Sequence, residues 1–148
     1  MKVRFNRWYN AVLTALLGLL GFESCSNGGS ELCEYGTPTA DYTVKGVVTD
    51  EAGNPIQGIL TKFVGDYNYG EQSTMTDKSG NYKLQVSTFP GLHNCQLIVK
   101  DIDGEANGGE FQSDTLDLST QKTVQVKKGD GNWYDGAFEI TQDVKLKK

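Results

Sequence analysis

Residues 42–56 read Tyr42-Thr43-Val44-Lys45-Gly46-Val47-Val48-Thr49-Asp50-Glu51-Ala52-Gly53-Asn54-Pro55-Ile56, and residues 76–84 read Thr76-Asp77-Lys78-Ser79-Gly80-Asn81-Tyr82-Lys83-Leu84. In the first stretch Tyr42, Val44, Gly46 and Val48 alternate with Thr43, Lys45, Val47 and Thr49. A period of two with one apolar face predicts a strand. Asp50 through Pro55 then predicts a turn: Gly53 can take a positive φ, and Pro55 restarts extended chain. In the second stretch Asp77-Lys78-Ser79-Gly80 predicts a tight hairpin. It leads into a strand with Tyr82, Leu84 and Val86 on one face.

Working outward, residues 56–64, 72–76 and 81–87 read as further strands, and so do 95–100 with Cys95, Leu97 and Val99 in phase. Residues 111–118 are weakly extended, with Leu116 and Leu118 in phase. Residues 123–127, 133–140 and 144–146 complete the set. Gly-rich turns separate them, and no helix is expected in this part of the chain. Seven or eight short strands at this spacing predict an all-β antiparallel Greek-key sandwich, and a chain of this length can bury one sheet-on-sheet core.

The N-terminal segment has another character. Residues 1–25 read MKVRFNRWYNAVLTALLGLLGFESC. Lys2, Arg4 and Arg7 form a basic head, residues 11–22 an apolar run of twelve, and the small Ser24 precedes Cys25. This is the pattern of a secretory signal peptide. Twelve apolar residues fall short of the roughly 20 that a membrane-spanning helix needs. The expected organisation is a helical signal over 1–24, a flexible tether over 25–41 (Gly28, Gly29, Gly36, Pro38) and the sandwich over 42–148.

The chain has 14 basic and 19 acidic residues. Setting aside Lys2, Arg4, Arg7 and Glu23 of the signal leaves 11 and 18, a net charge of −7. An acidic surface argues against nucleic acid and against anionic lipid as binding partners. With Cys25 at the cleavage point, Cys33 and Cys95 remain, and an exported compartment permits a disulfide between them. Such a bond would close a loop of about 60 residues, worth on the order of 4 kcal/mol in the chain-entropy model. The alternative is two thiols that never meet. Two cysteines with the single His93 do not have zinc-site spacing. No G-x-S-x-G, phosphate-cradling loop or H-E-x-x-H occurs, and His93 has no nucleophile at a motif spacing. A non-enzymatic protein is expected.

Three resemblances sharpen these readings. Val44-x-Gly46-x-Val48-x-Asp50-x-x-Gly53-x-Pro55-Ile56-x-Gly58-Ile59, followed by Thr76-Asp77-x-x-Gly80-x-Tyr82-x-Leu84, resembles the carboxypeptidase regulatory-like domain, which implies a transthyretin-like sandwich used as an accessory or spacer unit. Phe22-Glu23-Ser24-Cys25 resembles the lipobox of bacterial lipoproteins. That implies diacylglycerol on Cys25 and an N-linked acyl chain such as palmitate, enough together for stable anchoring. Ser26 stands where an inner-membrane retention signal would place Asp, which implies the outer membrane, with the leaflet open. Over nearly the whole chain, Cys25 with its leader, Glu34-Tyr35-Gly36-Thr37-Pro38-x-Ala40-x-Tyr42, and Asp101-Ile102-Asp103-Gly104 with Asn107-Gly108-Gly109 resemble the radical SAM-associated lipoprotein family of Bacteroidetes. The likeness implies a companion or substrate of a radical SAM enzyme; the three-cysteine cluster of such an enzyme is absent here.

Candidate sites follow from residue type. Asp101, Asp103, Glu105 and Asn107 place oxygen ligands at alternate positions around Gly104, a pattern that could hold Ca²⁺. Ala106 and Gln112 depart from an EF-hand loop, and the same residues are ordinary turn chemistry. Tyr67, Tyr69, Trp133 and Tyr134 lie in or beside loops and could stack on a glycan or anchor an envelope protein. They could equally plug the ends of the sandwich, with Trp133 expected in the core and Tyr67 and Tyr69 exposed. Tyr35-Gly36-Thr37-Pro38 is flexible by composition and is the candidate modification segment. Its alternative is a plain lead into the first strand.

Overall fold

The computed structural model describes residues 2–19, 36–65 and 70–148. Two compact units divide the chain, one ending at Glu34 and the other running over Tyr35–Lys148. The first contains α1 (Lys2–Leu19), with Trp8, Tyr9, Leu13 and Leu16 exposed. Among the described residues no helix is long and apolar enough to cross a membrane.

The second unit is the predicted all-β sandwich. Its strands are β1 (Thr39–Thr49), β2 (Ile59–Val64), β3 (Gln72–Met75), β4 (Asn81–Thr88), β5 (Gln96–Asp101), β6 (Asp114–Asp117), β7 (Val124–Lys128), β8 (Tyr134–Thr141) and the two-residue β9 (Val144–Lys145). One sheet runs β4-β1-β8-β7, with β9 beside the end of β1; the other runs β3-β2-β5-β6. The chain changes sheets after β1, β3, β4 and β6, a Greek-key winding. The period of two places the core as expected. Tyr42, Val44 and Val48 of β1 and Tyr82, Leu84 and Val86 of β4 face Ile59 and Phe63 of β2 and Leu97 and Val99 of β5, all buried.

Three features differ from the sequence expectation. First, β1 begins at Thr39, inside the stretch expected to be tether, because Ala40 continues the buried face at 0% exposure and pairs with Thr88. Second, β2 begins at Ile59 rather than at residue 56. Ile56 is buried, but Gly58 takes φ +82°, which breaks the extended run between them. Third, the sheets are antiparallel except at β1, which pairs with β8 and with β9 in parallel. Strand periodicity carries no information on the direction of a distant partner, so this pairing was not readable. The Cys33–Cys95 pairing cannot be followed, because Cys33 lies outside the described residues. Cys95 is buried, and its Sγ donates to the His93 carbonyl at 3.6 Å.

The sandwich has two distinct ends. Residue 39 enters beside the turn between β7 and β8 and the loop after β4, since Thr39 pairs with Tyr134 and Ala40 with Thr88. The far end collects the turns at residues 50–55 and 77–80, the acidic loop after β5, and the 142–143 corner.

Candidate functional site

At the entry end, Gly36 lies across the Trp133 indole. A Cβ on Gly36 would stand 2.9–3.0 Å from three ring atoms, so only glycine allows this approach. Three residues on, the Thr39 amide donates to the Trp133 carbonyl at 2.8 Å. The Tyr134 hydroxyl donates to Asp41 Oδ2 at 2.8 Å, and Lys127 Nζ sits 5.2 Å from the centre of the Tyr134 ring. The hydrogen bond to the Asp41 carboxylate pushes the Tyr134 phenol above its ordinary pKa. Gly36 and Pro38 of the candidate modification segment therefore lie beside two of the candidate aromatics, although they stood apart in the sequence.

Two β-bulges shape the hairpin that carries these aromatics. The β1–β8 register shifts between Thr39 and Ala40, leaving Asp135 as an extra residue on β8, and the β7–β8 register shifts between Gln125 and Lys127. Bulges kink and twist a strand and re-aim its side chains. Gly136, at φ +119°, lets the two strands stay paired, since a Cβ there would stand 2.4 Å from the Lys127 carbonyl. Asp130 caps the connecting turn, with Oδ1 accepting from the amides of Asn132 (2.8 Å) and Tyr134 (3.2 Å). The outcome is a cleft of about 380 Å³ lined by Pro38, Pro90, Trp133, Tyr134 and Asp135 and by Gly129 and Gly131. Trp133, expected in the core, is 39% exposed. Pro90, Asp135 and Asp41 were not foreseen as site residues. Proline, glycine and aspartate near a turn read as turn formers, and no local pattern distinguishes those that line a cleft. Tyr35, Tyr67, Tyr69 and Cys25 lie outside the described residues.

The acidic loop occupies the far end. Asp101 Oδ1 accepts from the Asp103 amide (3.1 Å) and Oδ2 from the Phe111 amide (2.9 Å), closing the loop on itself. Partial burial raises the Asp101 pKa, but the amides of Phe111 and Asp103 outweigh it and hold the carboxyl below its ordinary value. Asn107, at φ +51°, donates from Nδ2 to Asp103 Oδ2. That pair rests on Gly58, where a Cβ would stand 2.8 Å from the carboxylate oxygen and 2.9 Å from the amide nitrogen. Glu105 is exposed and precedes a single 3₁₀ turn, Ala106–Gly108. Asp101, Asp103 and Asn107 are thus brought together, with both oxygens of Asp101 and Oδ2 of Asp103 accepting from N–H groups of the loop itself. Among the described residues no three His, Cys, Asp or Glu side chains are grouped to hold a metal ion. His93 packs over Gly91, where a Cβ would stand 2.9 Å from its Nε2.

No protein-family model matches the chain, and neither does any curated protein sequence. Among solved structures the chain is similar to catechol 1,2-dioxygenase from Pseudomonas arvilla C-1, with a TM-score of 0.51 at 10% identity over 77% of this chain and 54% of that one. It is also similar to 3-chlorocatechol 1,2-dioxygenase from Rhodococcus opacus 1CP, with a TM-score of 0.50 at 12% identity over 78% and 62%. The chain spans less than two thirds of either dioxygenase. At this identity the likeness carries the sandwich fold, which occurs in enzymes, and not a reaction.

Proposed function

We propose that this chain is a lipid-anchored envelope protein that works by binding and presentation rather than by catalysis. The observation that carries the proposal is the order of parts: a basic head, a short apolar run and Ser24-Cys25 ahead of a compact all-strand unit. Acyl chains on Cys25 would hold the sandwich at the outer membrane, and several buried CH₂ groups per chain at ~0.8 kcal/mol each make a multiply acylated cysteine a stable anchor. The non-enzymatic part of the reading rests on the residues at the two ends. The entry-end carboxylates of Asp41 and Asp130 serve a tyrosine hydroxyl and a turn, and the far-end carboxylates of Asp101 and Asp103 serve loop amides. Partnership with a radical SAM enzyme rests on the family resemblance of the leader, the 34–42 segment and the 101–109 loop.

Intact mass of the natively expressed protein tests the anchor and the radical SAM partnership. The expected species begins at Cys25 and carries a diacylglycerol thioether and one N-acyl chain, and it fractionates with outer membrane. A mature N-terminus elsewhere, or an unacylated Cys25, would reject the anchor. Expression with and without a neighbouring radical SAM gene separates companion from substrate. A companion keeps one mass in both strains. A substrate shows a shift confined to the peptide over residues 33–45.

A further inference from the structure

We propose that the cleft at the entry end is a binding site for a neutral saccharide, one or two sugar rings stacked on Trp133 and hydrogen-bonded by Asp135. The inference concerns a separate property of the sandwich and stands whether or not Cys25 is acylated.

Three observations lead to it. The cleft is built rather than incidental: two bulges, Gly136 and the Asp130 cap shape one hairpin, and the bulged residue Asp135 lines the cavity. Its volume of about 380 Å³ falls at the low end of small-molecule sites, roughly 300–1,000 Å³. Its chemistry is mixed in the way a sugar requires. The exposed part of Trp133 offers apolar surface to a ring's C–H groups, while the Asp135 carboxylate can accept from vicinal hydroxyls. Asn132 on the same wall can both donate and accept. At Gly131, where a Cβ would meet nothing within 4 Å, the backbone is open to close approach by a ring.

The surrounding charges select against other ligands. Among the described residues that line the cleft, Asp135 is the charged one. Asp41 and Asp130 are held by Tyr134 and by turn amides, and Lys127 Nζ lies 5.2 Å from the centre of the Tyr134 ring. Among the described lining residues the charge is that of one carboxylate, which repels phosphate and anionic lipid headgroups. A wholly apolar ligand would bury Asp135 and Asn132 without hydrogen bonds.

The test is calorimetric titration of the full chain with five neutral hexasaccharides: cellohexaose, maltohexaose, xylohexaose, mannohexaose and chitohexaose. At least one is expected to bind with a Kd of about 1 mM or tighter. Asp135→Ala should weaken that binding about tenfold and Trp133→Phe about threefold, with the melting curve of Asp135→Ala unchanged. Lys78→Ala, at the far end, should bind as the wild type does. Absence of heat with all five sugars would overturn the proposal, as would binding that both variants leave intact. Heat from tetramethylammonium but from no sugar would instead assign the cleft to a cationic ligand. Co-sedimentation with phosphatidylglycerol vesicles that Asp135→Ala strengthens, without sugar binding, would assign it to the bilayer.

Discussion

Gly46 stands in the middle of β1, where the 142–143 corner passes over it. A Cβ there would lie 1.9 Å from the Gln142 carbonyl oxygen, so the backbone of the crossing segment needs the missing side chain. Gly46→Ala is expected to cost at least about 3 kcal/mol in urea unfolding, because backbone rather than a side chain must move. Thr76 is as constrained from another direction. Its buried Oγ1 accepts from the Ile59 amide at 2.9 Å and donates to the Ile56 carbonyl at 2.7 Å. Thr76→Val keeps the shape but strands both groups, and a loss of about 1–3 kcal/mol should follow in the same measurement. Gly36→Ala meets the softer obstacle of an indole ring. About 1 kcal/mol of destabilisation is expected, with a red shift of Trp133 emission in a Trp8→Phe background. All three residues were visible in the sequence as members of a pattern. What each one touches was not.

At the scale of elements, the turns follow a common device. Asp50 accepts from the Asn54 amide (2.7 Å) and Nδ2 (2.9 Å), Asp77 from the amides of Ser79 (2.8 Å) and Asn81 (2.9 Å), and Asp130 from those of Asn132 and Tyr134. Hydrogen bonds to the ionised form hold all three carboxyls below their ordinary value of 3.8. Their contribution to stability is present above the unfolded-state pKa and lost as pH falls through the lower folded-state value. Melting temperature should therefore fall below about pH 4, and Asp50→Asn, Asp77→Asn and Asp130→Asn combined should flatten that fall. A pH profile of melting unaffected by the triple change would show that the caps are not the titrating groups. The acidic loop after β5 is closed by the same chemistry, with the amides of Asp103 and Phe111 each donating to an Asp101 oxygen. Millimolar Ca²⁺ is expected to leave the melting curve unmoved. The edge strand β7 is exposed at every position, with Val124 at 54% and Val126 at 56%. The bulge at Val126, with Lys127 and Lys128 beside it, is how an edge strand is kept from pairing with another chain.

Across the whole molecule, one core joins the two sheets, and Phe63 lies at its centre with no exposed surface. Phe63→Ala should cost about 3–5 kcal/mol and lower the single unfolding transition rather than split it. The salt bridge between Lys45 and Glu139, 2.7 Å long with both side chains more than a third exposed, adds little to that core. The larger consequence of the fold is polarity of its ends. The aromatic cleft lies where the chain enters the sandwich, and the acidic turns lie opposite.

The sequence by itself determined the strands, their buried faces and the capped turns, because each depends on residues within a few positions of one another. Alternation selects the faces of β1, β4 and β5, and Asp-to-Asn spacing closes the turns at residues 50 and 77. The entry-end cleft was decided only by the tertiary structure. Asp41 and Tyr134 are 93 positions apart, and they meet because β1 takes β8 as a parallel neighbour. That choice depends on the packing of the complete sheet pair, and the bulge that aims Asp135 exists only once the pairing has formed. Local periodicity encodes a strand's faces, while the identity and direction of its neighbour are a property of the assembled core.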